Sequence, residues 1–436
     1  MASIAVLAWP ETLYERNFYF DRWHPFERAT LLGLGGLSLL SPLFIPLFLL
    51  IHYVVTRQFR YPGIGKFNYT HSALPHSMLF ILSGVVVASL LFEFQPFMIT
   101  FLLLCGYAGH YFYPGLEKLR HGPVQYVRNN NPMFLFMNAY KSGWMSFLSE
   151  ERVANMGVRS ERIRPLLNLP ILLIQIGTIF IVFSYTASVA LVLLTLLFHL
   201  LVFALTGDNF WRWMAVNVAL AIGLVLTGPL VIFEEIMWFA FSVLFIAFAT
   251  AWSRPKQLGW LDSPYYEFFR LEADGPNIEP VEVKPGIVRP YETIFCQGFT
   301  GTFPFLGQKP RLTWSLGNIH ENEEAHQYIT TSVYPDRPTQ VEYERIREFS
   351  SNEHDRRKER ALEMLLEQFV DSGGLHDQHP LLRKLSGPQE FYTEGIPDST
   401  PLRDEANHLT LVRIDGIWTR KGFHEVAREE VIQIPI

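Results

Sequence analysis

Long apolar stretches separated by short polar breaks dominate the first 250 residues of the chain. A helix needs about 20 apolar residues to cross the hydrocarbon core of a bilayer, which is about 30 Å thick. The apolar run from Asn168 to Thr206 is too long for one helix at ~1.5 Å per residue, so we divide it near 185–188 into an antiparallel pair. The pattern then predicts about seven spans: 29–55, 73–93, 96–113, 168–185, 187–206, 211–232 and 235–252.

Two further segments of this region are too polar to span a membrane. Residues 114–167 are amphipathic in places, such as 133–137, and carry many basic side chains. They predict an interfacial or re-entrant segment, and a plain basic loop on lipid headgroups is the alternative. Residues 1–28 mix acids and bases without an apolar core, which is not typical of a cleavable signal peptide and favours an N-terminal interfacial segment.

The pattern changes from about residue 261 onward. Residues 278–316 alternate apolar and polar positions between Gly and Pro, and this alternation predicts short strands. Residues 340–371 place apolar side chains at helical spacing. Residues 409–420 alternate as a strand pair does, with a turn near Lys421-Gly422. We therefore predict a small soluble α+β domain over 261–436.

Composition and charge support this division of the chain. Only 18% of the residues are charged, whereas soluble proteins average about 25%. Residues 1–260 hold 17 bases and 12 acids, a net charge of +5, whereas 261–436 hold 19 bases and 30 acids, a net charge of −11. The sequence thus predicts a polytopic α-helical membrane bundle over 29–252 with a lipid-bilayer partner and no nucleic-acid partner.

Ionisable side chains in or beside the spans are candidates for function because burying them in lipid is costly. These candidates are His76, His110, Lys118, His199 and Asp208. The purely structural alternative is that each histidine is a hydrogen-bonded packing residue and that the lysine extends its amine to the membrane interface. The histidine pairs His320/His326 and His376/His379 lie in polar, acid-rich stretches with no cysteine as a further ligand, so we expect no metal site.

Three segments together resemble a known family. The segment from Cys105 to Leu119, CGYAGHYFYPGLEKL, resembles the signature of the horizontally transferred transmembrane (HTTM) superfamily, which includes the vitamin K-dependent gamma-carboxylases. The segment PHSML at 75–79 is similar to the family's histidine-bearing helix. The segments LFHLLVF at 197–203 and TGDNF at 206–210 are similar to its later histidine helix and turn. The resemblance covers roughly residues 25–252.

The resemblance implies a site and a reaction. Lys118 matches the family's catalytic base and His76 its partner at the quinol, with His199, His110 and Asp208 as substrate-binding side chains. The implied cofactors are reduced vitamin K or another quinol, with O2 and CO2. In that chemistry the hydroquinone is deprotonated and reacts with O2, the product removes a γ-proton from a glutamate, and CO2 traps the carbanion as the quinone leaves as an epoxide. A buried lysine more readily holds a neutral amine that acts as a base.

The C-terminal tail differs from that of the carboxylases, and this difference leaves other functions open. Their soluble region is large, whereas the tail here is short and acidic, so glutamate carboxylation is in doubt even with a quinone-type site. The alternative is a non-catalytic membrane scaffold whose acidic C-terminal domain binds a protein partner. A transporter fits less well because paired broken helices are not apparent. Loop bases predict a cytoplasmic C-terminal domain, although the resemblance implies the lumen.

Overall fold

A computed structural model describes residues 2–5, 7, 24–58, 67–93, 96–120, 122–141, 145, 148–206, 210–229, 236–253, 265–275, 278–282 and 407–435. The described chain is mostly helical and carries a four-stranded antiparallel sheet near its C-terminus. The helices are α1 (His24–Leu40), α2 (Phe44–Gln58), α3 (Phe67–Ala88), α4 (Pro96–Arg120), α5 (Pro123–Asn129), α6 (Met133–Lys141), α7 (Glu150–Ser160), α8 (Arg164–Gly177), α9 (Tyr185–Thr206), α10 (Trp211–Thr227) and α11 (Ile236–Ser253). The strands are β1 (Tyr265–Gly275), β2 (Ile278–Glu282), β3 (His408–Thr419) and β4 (Gly422–Pro435).

The chain folds into two compact units. The helical unit comprises Met1–Pro123, Leu169–Leu201 and Phe210–Pro255. The second unit comprises Val124–Asn168, Val202–Asn209 and Lys256–Ile436. The basic segment that follows α4 therefore groups with the C-terminal sheet rather than with the apolar helices that flank it in sequence.

The first predicted span, 29–55, is divided into two helices. Helix α1 ends at Leu40 and α2 begins at Phe44, with a turn between them in which Phe44 N–H donates to the Ser41 carbonyl at 3.1 Å. Pro42 causes the break, because it lacks an N–H and disfavours helical geometry at the preceding residue. The prediction of one continuous helix here was wrong.

The long apolar run is broken close to where the sequence predicted. Helix α8 continues as a 3₁₀ turn over Thr178–Val182, and α9 begins at Tyr185. A Cβ at Gly177 would lie 3.6 Å from the Leu191 side chain, so α9 returns beside the end of α8. Within the described residues, the two stretches Arg164–Val182 and Tyr185–Leu205 are long and apolar enough to cross a membrane.

Helix α4 lies at the centre of the helical unit. Its residues from Leu104 to Tyr111 are all buried. Gly109 allows α11 to approach closely, because a Cβ there would lie 2.7 Å from backbone atoms of Ala249 and Thr250. Backbone approach of this kind at small residues is typical of helix packing in membranes, where lipid supplies no hydrophobic drive for helices to associate.

The second unit is built around the hairpin of β3 and β4. The sheet order is β2-β1-β3-β4, with every neighbouring pair antiparallel. Buried Trp418 joins an apolar cluster with α6 and α7 that includes Phe134 and Val153. The Phe423 N–H donates to the Glu150 carboxylate at 2.9 Å, so the hairpin tip is held against the start of α7.

The sequence predicted the C-terminal elements unevenly. The predicted strand pair with a turn near 421–422 is confirmed as β3 and β4, with the turn at 420–421 and residues 409–419 all in β3. Strand β1 was not predicted, and β2 lies at the start of the predicted strand region 278–316. The rest of that region and the predicted helix 340–371 lie outside the described residues.

Candidate functional site

A buried network of hydrogen bonds joins α4, α9 and α10 inside the helical unit. The Tyr111 hydroxyl hydrogen bonds to Nε2 of His199 at 2.8 Å and donates to Oδ1 of Asn217 at 3.4 Å. The hydroxyls of Tyr107 and Thr195 bond to each other, and Asn217 Nδ2 donates to Thr195 at 3.5 Å. All five side chains are buried. We call them the α4 network.

Trp213 brings two of the predicted histidines to one place. Its ring meets His110, Tyr111 and His199 edge-on, at centroid distances of 5.5, 5.4 and 5.4 Å. Phe210 lies 5.0 Å from the His199 ring. Such edge-to-face contacts are favourable because the positive ring edge meets the negative ring face. His110 and His199 thus belong to one aromatic cluster built around Trp213.

His110 also connects α4 to α3. Its Nε2 hydrogen bonds to the Ser77 hydroxyl at 2.7 Å, and both side chains are buried. Ser77 follows His76 in the chain, so His76 lies on α3 at about the level of His110. Lys118 lies eight residues beyond His110, which is about 12 Å along a regular helix.

His76 pairs with a histidine that the sequence analysis did not select. Its Nε2 lies 3.0 Å from Nδ1 of His52 on α2, and the two rings meet edge-on at 4.7 Å. His52 is fully buried beside Phe48, at 5.9 Å between ring centroids. Two neutral imidazoles can share one hydrogen bond, since each offers one donor and one acceptor nitrogen.

Lys118 is buried in the last turn of α4 rather than extended toward the surface. Only 3% of it is exposed, and its neighbour Glu117 is equally buried. Glu117 pairs with Arg120, whose side chain is 53% exposed. Arg212 is also buried, in the first turn of α10. The described part of the helical unit therefore buries the side chains of two basic residues, Lys118 and Arg212.

Helical geometry places Lys118 on the face of α4 that carries the network. At 100° per residue, positions 107, 111, 115 and 118 fall within an arc of about 80°. Tyr107 and Tyr111 line this arc with phenol rings, and the missing side chain of Gly115 lets α8 pack closely against it. A Cβ at Gly115 would lie 3.0 Å from Cβ of Gln175 on α8. This face of α4 therefore carries the two network tyrosines, the contact with α8 and the buried lysine.

The structure assembles part of the predicted site. It brings His110 and His199 together through Trp213, and it places His76 against His52. Lys118 lies farther along α4, and Asp208 lies outside the described residues. Trp213 and Asn217 were missed, although the aromatic cluster FWRW at 210–213 directly after the His199 helix was a usable signal. No group of three metal-ligating side chains occurs within the described ranges.

Comparisons of the chain with protein-family models, with curated proteins and with solved structures found no match.

Proposed function

We propose that this chain is a membrane enzyme acting on a lipophilic, quinone-type substrate, with Lys118 as the proton acceptor. The observation that carries the proposal is the burial of Lys118 on the same face of α4 as the α4 network. Burial disfavours the charged form of a lysine, so an amine withdrawn from water is more readily neutral and free to accept a proton. A snorkelling lysine would instead expose its amine.

The hydrogen-bonding and aromatic side chains around Trp213 suit a hydroxylated aromatic ring as ligand. Such a ring needs apolar surfaces against its faces and hydrogen-bonding groups at its oxygen atoms. Tyr111, His199 and Trp213 combine both properties in one cluster. When bound, a reduced quinone with O2 and CO2 supplies the oxidising and carboxylating chemistry that the HTTM resemblance implies. His110, His199 and Asp208 are the proposed substrate-binding residues.

The roles of the protein's own side chains follow from their chemistry. Lys118, as a neutral amine, accepts a proton from a ring hydroxyl. His76 donates a hydrogen bond to the second ring oxygen, on the side away from Lys118, and His52 orients its ring through the 3.0 Å contact. The neighbouring pair of Glu117 and Arg120 balances charge within the last turn of α4.

Turnover by the purified protein tests this function. The protein is reconstituted in nanodiscs with a reduced prenylated 1,4-naphthoquinone and O2, and the epoxide is measured by mass spectrometry. Lys118→Ala should abolish epoxide formation, and Lys118→Arg should do the same because a guanidinium stays protonated. Lys421→Ala, at an exposed position of the hairpin turn, is the matched control and should retain activity.

Two outcomes would remove the proposal. Wild-type turnover in Lys118→Ala would exclude the lysine mechanism. No binding or turnover of the quinol by the wild-type protein would instead favour a non-catalytic scaffold whose C-terminal domain binds a protein partner. His76→Ala should reduce turnover less completely than Lys118→Ala, because it removes a hydrogen bond and not the base.

The proposal includes a multi-pass bundle of about seven spans with a cytoplasmic C-terminal domain. The apolar stretches Arg164–Val182 and Tyr185–Leu205 support membrane association. The hydrogen bond between Glu150 and Phe423 supports assigning the basic segment and the C-terminal hairpin to the same side of the membrane. Because basic loops favour the cytoplasm, that side is assigned there. Protease added to the exoplasmic face should leave residues 261–436 intact, and their cleavage would reverse the orientation.

A further inference from the structure

Gln175 is a buried polar side chain whose oxygen has no hydrogen-bond partner among the residues that the structure describes. It lies in α8 within the apolar run ILLIQIG, and only 5% of it is exposed. Its Oε1 atom is buried and accepts no hydrogen bond. Buried polar groups are nearly always hydrogen-bonded, and leaving an acceptor unsatisfied is destabilising. The described part of the chain therefore leaves this acceptor open to a donor.

The location of Gln175 indicates where that donor belongs. Its Cβ would contact a Cβ at Gly115 at 3.0 Å, so its side chain starts against the α4 face that carries Lys118. Lys118 is one turn beyond Gly115, and helical side chains tilt toward the N-terminus of their helix. Tyr111, of the α4 network, is one turn before Gly115. Gln175 thus lies at the level of α4 between the network and the buried lysine.

We propose that Gln175 is a substrate-binding residue that accepts a hydrogen bond from a hydroxyl of a reduced, hydroquinone-type ring. The inference rests on the proposed function and adds a preference for one redox form. A hydroquinone presents O–H donors, whereas the oxidised quinone presents only carbonyl acceptors. An acceptor at this position therefore favours the reduced form, which is the form from which Lys118 takes a proton.

Binding of the two redox forms to the full-length protein in nanodiscs tests the inference. The probe is a short-chain prenylated 1,4-naphthoquinone, used reduced under anaerobic conditions and then oxidised. Binding is followed by quenching of tryptophan fluorescence and by the shift in melting temperature. The test variant is Gln175→Leu, which keeps a similar volume without polar atoms. The control is Ile176→Leu, which alters the neighbouring side chain at the Gly115 contact and keeps the amide.

The expected results separate a binding role from a packing role. Without ligand, Gln175→Leu should melt at the wild-type temperature or higher, because an unsatisfied polar group has been removed. Its Kd for the reduced probe should rise on the order of 10-fold, the equivalent of one hydrogen bond. Its Kd for the oxidised probe should change little. Ile176→Leu should bind both forms as the wild type does.

Four outcomes would overturn the inference. Unchanged affinity of Gln175→Leu for the reduced probe would exclude the hydrogen bond while leaving the proposed function intact. An equal loss of affinity for both forms would exclude the acceptor role. A lower melting temperature of the ligand-free variant would show that Gln175 stabilises the fold. Failure of the wild-type protein to bind either form would refute the proposed function and this inference together.

Discussion

The hydroxyl of Tyr111 lies 2.8 Å from Nε2 of His199 and joins α4 to α9 across 88 residues of sequence. Both side chains are buried, and Asn217 of α10 shares the same hydroxyl at 3.3 Å. One oxygen atom therefore connects three helices of the helical unit. Since little water competes for such a bond, its loss leaves buried groups without a partner.

Tyr111→Phe should destabilise the helical unit by about 1–3 kcal/mol, because it removes the hydroxyl shared by His199 and Asn217. Cys105 offers a direct readout, since it is a buried free thiol in α4. In a Cys296→Ser background, its reaction with a fluorescent maleimide during heating reports unfolding of that helix.

The matched control for this substitution is Tyr185→Phe, at a partly buried tyrosine that is not one of the five side chains of the α4 network. It should leave the temperature of Cys105 labelling unchanged. Equal labelling temperatures for Tyr111→Phe and the wild type would show that the network hydroxyl contributes nothing to stability.

The sequence predicted local elements better than long-range pairs. Apolar runs marked most helices, and strict alternation marked the β3–β4 hairpin, because both signals are periodic and local. The break at Pro42 was hidden by the apolar residues on either side of it. His52 was overlooked although it is an ionisable side chain within the predicted span 29–55, whereas nothing in the local sequence of Gln175 shows which helix it meets. A contact such as that between His52 and His76 depends on tertiary packing.

Gly109→Ala should destabilise the protein because α4 and α11 cannot separate without losing contact. The new Cβ would lie 2.7 Å from the backbone of Ala249 and Thr250, and overpacking of this kind costs about 1–3 kcal/mol. Gly84→Ala is the control, since nothing lies within 4 Å of its Cβ position in α3. That control should match the wild type or exceed it by up to about 1 kcal/mol.

The thermal assay at Cys105 compares the two glycine variants directly. If both alanine variants melt alike, α4 and α11 do not approach each other as closely as the structure has them.

Glu150→Ala should loosen the tip of the β3–β4 hairpin. The carboxylate accepts the Phe423 N–H at 2.9 Å, and this bond holds the turn against α7. Hydrogen–deuterium exchange at 422–424 should become faster in this variant. Glu150→Gln should keep most of the protection because its amide oxygen can accept the same bond. Identical exchange in Glu150→Ala and the wild type would contradict the contact.

Gly422→Ala should disturb the same turn by a different route. Gly422 adopts φ +129°, a conformation that side chains with a Cβ rarely take. The added Cβ would also lie 2.8 Å from the Glu150 carboxylate. We expect faster exchange at Phe423, whereas Lys421→Ala, at an exposed neighbour, should behave as the wild type.

The His52–His76 contact should show energetic coupling in a double-mutant cycle. Removing either ring takes away the 3.0 Å partner of the other, so each single alanine variant loses the bond. The second substitution then costs less stability than it does alone. The loss of unfolding free energy in the double variant should therefore be smaller than the sum of the two single losses by about 0.5–3 kcal/mol. Unfolding is followed by Cys105 labelling, and turnover of the reduced naphthoquinone is measured in parallel. If His52 orients the His76 ring, His52→Ala should lower turnover severalfold in the protein that keeps His76. The same substitution should have little further effect on turnover in the His76→Ala variant. Additive losses of turnover would mean that His52 does not act through His76.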